Sequence, residues 1–187
     1  RIHYRPAAPS SEEIEAGFSR RAEFEFIELT NLSDAFLNLT KSHFSTGIRF
    51  EFTDALPQLD PRESLIVAAN PQAYRFRYQT DDKVHGPFQF ETQLANGGEE
   101  IVLRDPTGAR IQSVTYEDSE PWPTQADGGG FTLALIEPRP NLDLNLATLW
   151  QALPIDLPSN ATQDGDAFAT WQSIHFTSDE IQASTIS

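Results

Sequence analysis

The chain has no cysteine and no methionine in its 187 residues. The first absence removes disulfides, zinc–thiolate sites and thiol nucleophiles together. Small secreted domains often depend on disulfides, but a chain of this length can bury one core without them. Cysteine usage therefore leaves the compartment open. Basic residues are scarce: 13 Lys and Arg stand against 28 Asp and Glu, for a formal net charge of -15. Such a surface favours solubility and repels nucleic acid and anionic lipid. The basic pairs that do occur, Arg20-Arg21 and Arg75 with Arg77, are short and lie among acidic neighbours. Because nucleic-acid affinity rests mainly on Lys and Arg neutralising phosphates, no DNA or RNA partner is expected. Long hydrophobic runs are missing too. The longest, Leu65 to Ala69, falls far short of the ~20 residues of a membrane helix, so membrane insertion is not expected either. No signal peptide opens the sequence, which starts at Arg1, and it reads as a piece of a larger protein.

Catalytic signatures are equally thin. No GxSxG elbow occurs. Gly128-Gly129-Gly130 is not followed by the Lys and Ser/Thr of a phosphate loop, and is read as a tight corner into a strand at Phe131. His3, His43, His85 and His175 have no metal-motif spacing and are read as structural or surface residues. Acidic pairs abound: Asp81-Asp82, Glu99-Glu100 and Glu117-Asp118. Two carboxylates flanking a sugar could serve a glycosidase, but so many acids produce pairs by chance. A carboxylate-based hydrolase is the last of the readings, and no enzyme is expected. Asp164 and Asp166 are the candidates for a bound calcium, the one cofactor considered.

What the chain does have is period-2 alternation in short segments between Gly, Pro, Asn and Asp, the pattern of an all-β sandwich. Ile48, Phe50 and Phe52 alternate with Arg49 and Glu51, Phe88 and Phe90 make a further strand, and Ser64 to Ala69 reads as a central strand. Ile101 and Leu103, a turn at Asp105-Pro106-Thr107-Gly108, then Ile111, Val114 and Tyr116 make a hairpin, with Pro and Gly where such a turn wants them. In Glu23 to Leu29, Phe24 and Phe26 share one face while Ile27 and Leu29 share the other. Either both faces are covered or a bulge shifts the phase. Ser10 to Gly17 reads as an acidic loop. Phe26, Leu39, Phe50, Val67, Leu103, Val114 and Leu133 are expected to be buried between two sheets.

Asn70 followed by Pro71 reads as a helix start running to about Tyr78, which puts Tyr74 and Tyr78 on one face. The competing strand reading lines up Tyr74, Phe76 and Tyr78 as an aromatic platform. After Arg139 no Lys or Arg recurs, and Leu153 to Ser159 carries two prolines, a linker signature. Short helices near Asp166 to His175 and from Thr177 onward are expected beyond it.

IHYRPAAP (residues 2 to 9), EFIELTN (25 to 31), NGGEEIVL (96 to 103) and PWPTQADGGGFTLALIEP (121 to 138) occur in the order seen in lamin tail domains. The chain resembles that family over roughly residues 1 to 152, with Arg5 where the family usually has Asn. The closing AFATWQSIHFTSDEIQASTIS is similar to linkers of secreted bacterial multidomain proteins. The resemblance implies an immunoglobulin-like β-sandwich of about eight or nine strands. Together with the readings above, it gives a domain at 1–152 with a short helix after the central strand, and a linker and short helical tail at 153–187. It also implies a non-catalytic extracellular or cell-surface module, binding a protein or cell-surface polymer within a larger bacterial protein. A carbohydrate-binding module is the alternative. Trp122, held between Pro121 and Pro123, is the leading recognition candidate, with Tyr74 and Tyr78 beside it. The same prolines can instead hold Trp122 as a lid over the end of the sandwich, which is the preferred reading. Glu25 and Glu28 are assigned to hydrogen bonds or ion pairs at a strand edge.

Overall fold

The computed structural model describes residues 1–53, 58–80 and 83–155. The chain divides into two compact units, Arg1–Leu153 and Pro154–Ser187, and of the second only Pro154 and Ile155 are described. The expected tail helices and the calcium candidates Asp164 and Asp166 lie outside the described residues.

Ten strands are present among the described residues: β1 (Ile2–His3), β2 (Phe26–Thr30), β3 (His43–Thr46), β4 (Phe50–Glu51), β5 (Ser64–Ala68), β6 (Val84–His85), β7 (Glu99–Arg104), β8 (Arg110–Tyr116), β9 (Phe131–Leu135) and β10 (Trp150–Pro154). They form a six-stranded sheet ordered β10-β9-β1-β2-β5-β6 and a four-stranded sheet ordered β4-β3-β7-β8. The expected boundary after residue 152 falls inside β10. Register follows the sequence pattern. Ile27 stands opposite both Ile2 and Val67, and Ile101 opposite Val114. In the β7–β8 turn, Asp105 Oδ1 accepts from the Thr107 and Ala109 amides and the Thr107 hydroxyl. Those bonds hold its carboxyl below the usual carboxylate range, the Thr107 hydroxyl contributing most. Ile111, out of phase with Val114 and Tyr116, is exposed at the edge rather than resuming the buried face.

The facing sides of the sheets bury Tyr4, Ile27, Phe44, Val67, Leu103, Val114, Tyr116 and Leu133. Six of the seven expected core residues join this cluster; Phe26 does not, although it is only 1% exposed. Its side chain lies on the other face of β2, under a helix. Helix α1 (Ser11–Glu15) and helix α2 (Pro71–Tyr78) are the α-helices of the described residues. The Asn70 side chain caps α2 by accepting from the Gln72 and Ala73 amides, and Tyr74 and Tyr78 both meet Phe26, at 5.1 and 6.0 Å between ring centres. The split alternation of residues 24 to 29 thus means that both faces of β2 are covered.

The segment read as an acidic loop contains α1. Its Ser10 hydroxyl accepts from the Glu13 amide while the Glu13 carboxylate accepts from the Ser10 amide, the reciprocal pair of a capping box. Glu13 is also held by both Nε and Nη2 of Arg77 at 2.6 and 2.8 Å, and this guanidinium lies 3.3 Å above the Phe24 ring. One ion pair thereby joins α1, α2 and the 3₁₀ turn Arg21–Phe24. Arg5, in the place of the family's usual Asn, ion-pairs with Asp127. The triple glycine makes the expected corner: a Cβ on Gly129 would stand 2.7 Å from the Gln125 carbonyl oxygen.

Candidate functional site: a presented phenylalanine beside an open cleft

The aromatic residues expected to meet a partner are turned inward. Trp122 is 6% exposed, and its ring centre lies 5.8 Å from that of Trp150, whose Nε1 donates to the Leu144 carbonyl. The lid reading describes this arrangement: two indoles close one part of the sandwich, and Trp122 offers no free face to a ligand. Tyr74 is 4% exposed and Tyr78 is half-buried. They share a helical face, 4.8 Å apart, but the face is spent on Phe26. The helix excludes the strand platform of Tyr74, Phe76 and Tyr78.

The strand expected through Phe88 and Phe90 is replaced by a loop with a 3₁₀ turn at Gln89–Glu91. Phe88 is buried and joins the core; Phe90 is 86% exposed, more than any other large hydrophobic side chain among the described residues. The backbone explains the split. Phe90 has φ 56° and Glu91 φ 53°, consecutive left-handed conformations that cost non-glycine residues of order 1–3 kcal/mol each. That twist carries the Phe90 ring out into solvent where a strand would have kept it in phase with Phe88.

Such a conformation persists only where the surroundings impose it, and here they do. The Gln89 amide donates to the Arg49 carbonyl at 2.7 Å. The Thr92 hydroxyl accepts from the Arg49 amide at 2.9 Å and donates to the Gln89 carbonyl at 2.9 Å. At the far leg, buried Leu94 enters the core, its amide donating to Glu25 Oε2 at 2.8 Å, and the next amide, Ala95, donates to Glu99 Oε1 at 2.7 Å. Tyr116 closes this leg from β8, its hydroxyl donating to the Ala95 carbonyl at 2.7 Å. The loop is pinned at both ends while its tip projects an apolar ring.

Beside the loop is an open cleft of about 470 Å³, lined by Glu91 and Thr92 of the loop, Arg20 just before the 3₁₀ turn and Glu23 within it, and Asn70 and Pro71 at the start of α2. Its walls mix carboxylate, guanidinium and amide groups with the apolar surfaces of Ala22, Ala69, Pro71, Pro87 and Phe88. Polar groups set among apolar walls suit an extended segment, which brings both backbone polar groups and side chains.

The remaining sequence candidates have structural positions. Glu28 pairs with Arg1 at 3.4 Å. Glu25 is not at an edge: it is 3% exposed, and burial pushes its carboxyl up to about 8, with the Glu99 charge adding to the rise. His3 is 1% exposed against the Phe26 ring, and burial pulls its imidazole down to about 3. Among the described residues no group of three or more His, Cys, Asp or Glu side chains is placed to hold a metal ion. The Phe90 loop itself went unseen in the sequence. Gly86-Pro87 before it and Asn96-Gly97-Gly98 after it are turn formers that mark a loop, and that punctuation is the signal against a strand.

No curated protein sequence matches the chain. The model of the Lamin Tail Domain family matches residues 2–118, which covers β1 to β8 and so spans both sheets together with the Phe90 loop. With that match over more than half its length, and with its two-sheet immunoglobulin-like sandwich, the chain belongs to the lamin tail domain family.

Proposed function

We propose that this domain is a non-catalytic binding module of a larger extracellular or cell-surface protein, and that it engages a protein partner through the Phe90 loop. One observation carries the reading: a phenylalanine that is 86% exposed at the tip of a loop whose two legs are anchored by backbone and side-chain hydrogen bonds. A large apolar side chain held out in water by a left-handed backbone costs the free domain stability. Binding then desolvates the ring without any further ordering of the loop, so the gain from burying it is not spent on fixing the backbone. Aromatic anchors of this kind dominate interface energetics. The adjoining cleft, lined by Glu91 among other residues, supplies both polar and apolar contacts around the anchor. The excess of acids over bases favours a partner carrying Lys or Arg and disfavours nucleic acid.

The test is selection of a displayed peptide library on the domain, with every recovered binder measured against wild type and Phe90→Ser. The reading predicts binders enriched in basic residues whose affinity falls tenfold or more in Phe90→Ser. Binders that hold both forms equally would refute it. The carbohydrate reading has its own arm: glycan-array binding that is lost in Phe90→Ser, with no peptide recovered, would replace the protein partner by a sugar.

A further inference from the structure

Glu25 and Glu99 come from distant points in the chain, the entry to β2 and the start of β7, yet they clasp consecutive amides, Leu94 and Ala95, at 2.8 and 2.7 Å. These two bonds fix the leg by which the Phe90 loop returns to the sandwich. Glu25 is 3% exposed, and Glu99 is half-buried. Among the described residues neither carboxylate has an ion pair with a Lys, Arg or His. Facing them from β8 is Tyr116, fully buried, its hydroxyl 3.3 Å from Glu99 Oε1, and behind it, just after β1, is Tyr4, its ring 4.8 Å away. With no cation paired to either carboxylate, the two do not both ionise at ordinary cost.

We propose that Glu25 and Glu99 form a proton-operated clasp on the base of the Phe90 loop, which holds the loop fixed in mild acid and lets it open as the pH rises. The part the clasp plays in binding rests on the Phe90 reading above; the clasp itself does not. Closed, Glu25 keeps a proton and the two carboxyls coexist. Opening the leg exposes Glu25 to water, where it ionises at the ordinary carboxyl range. The carboxyl is raised from 4.5 to about 8 in the closed state, chiefly by burial, and Glu99 is raised as well. A raised acid stabilises the closed form fully below its open-state value and loses that contribution as pH climbs through its closed-state value. The window is thus about 4.5 to about 8. His3, lowered from 6.5 to about 3, acts in the opposite direction on the whole fold. It sits under α2, on the far face of the β1–β2 sheet, so the clasp is read locally at the loop.

Amide hydrogen exchange, corrected for intrinsic rate, is measured for residues 89 to 95 from pH 4.5 to 8 in wild type and in Glu25→Gln. The carboxamide introduced by Glu25→Gln still accepts from the Leu94 amide through its oxygen and cannot ionise. In wild type, protection at Leu94 and Ala95 should fall by up to tenfold per pH unit across this window. In Glu25→Gln it should fall much less steeply, since Glu99 alone of the pair still titrates. A flat wild-type profile, or the same slope in the variant, would overturn the proposal. Should Glu25→Gln fail to fold, the carbon-13 shift of the Glu25 carboxyl in wild type decides: titration above pH 6 supports the clasp and titration near 4.5 refutes it. The two readings fail separately. Phe90-dependent binding with a flat exchange profile sinks the clasp alone, and a steep profile without Phe90-dependent binding sinks the binding reading alone.

Discussion

Replacing Phe26 by alanine tests whether α2 is an integral layer of this fold or a decoration on it. The side chain is 1% exposed and lies outside the cluster between the sheets, enclosed by His3, Tyr74 and Tyr78 at ring distances of 5.2, 5.1 and 6.0 Å. Removing a fully buried Phe side chain forfeits a transfer term of about 1.5–3 kcal/mol. The hole left among three rings cannot collapse freely, because His3 belongs to a paired strand and Tyr74 to a helix capped by Asn70. The cavity raises the total to about 3–5 kcal/mol, a large part of the roughly 5–15 kcal/mol that holds a domain together. Urea unfolding followed by tryptophan fluorescence gives the loss at sites remote from the mutation. Trp122 and Trp150, which pack on each other within the core between the sheets, report the sandwich, and far-ultraviolet circular dichroism reports the helix. The two probes should shift together to lower urea. A loss under 1 kcal/mol, or helix signal melting before the tryptophan signal moves, would refute the claim that the outer face of β2 is a second core.

Three further outcomes are expected. Gly98→Ala should lower stability by at least 1–3 kcal/mol, because Gly98 has φ +94° and a Cβ there would stand 2.5 Å from the Tyr116 carbonyl oxygen; thermal melting checks it. His3, whose imidazole is pulled down from 6.5 to about 3 mainly by burial, contributes stability that is present above 6.5 and lost as pH falls towards 3. His3→Gln should therefore flatten the acid limb of a melting-temperature profile between pH 6.5 and 4, and an unchanged acid limb would contradict the buried neutral ring. Phe90→Ser should leave the melting temperature nearly unchanged, since the ring is exposed and serine meets the same left-handed backbone; a clear loss of stability would show that it packs.

Much of this fold is legible because local chemistry and tertiary structure agree. Asp105-Pro106-Thr107-Gly108 makes its hairpin, Asn70-Pro71 starts α2, and Gly128-Gly129-Gly130 turns its corner, each by rules confined to a few residues. Ser10 and Glu13 also carried a readable capping box, but at five residues α1 is too short to show helical periodicity. The alternation of Phe24 to Leu29 said that both faces are covered without saying by what, and only the fold supplies α2 as the cover. The site was the least legible part. Period 2 keeps Phe88 and Phe90 on one face, and no propensity rule places a phenylalanine in the left-handed region; the hydrogen bonds from Arg49, more than 40 residues earlier in the chain, impose it. Glu25 likewise reads as an edge acid because its partner, the Leu94 amide, lies 69 residues away. Trp122 was legible: flanking prolines could present or enclose an indole, and the preferred lid reading is the one the structure bears out, with the ring packed inward against Trp150.

The central claim is that the Phe90 tip is the binding surface and the buried aromatics are not. Its most direct measurement is the affinity of a library-selected peptide for wild type, Phe90→Ser and Ile111→Ser, the last removing an exposed side chain on β8, away from the loop. The account predicts a loss of tenfold or more in Phe90→Ser alone, with Ile111→Ser binding like wild type. Equal affinity for all three, or a loss confined to Ile111→Ser, would contradict it.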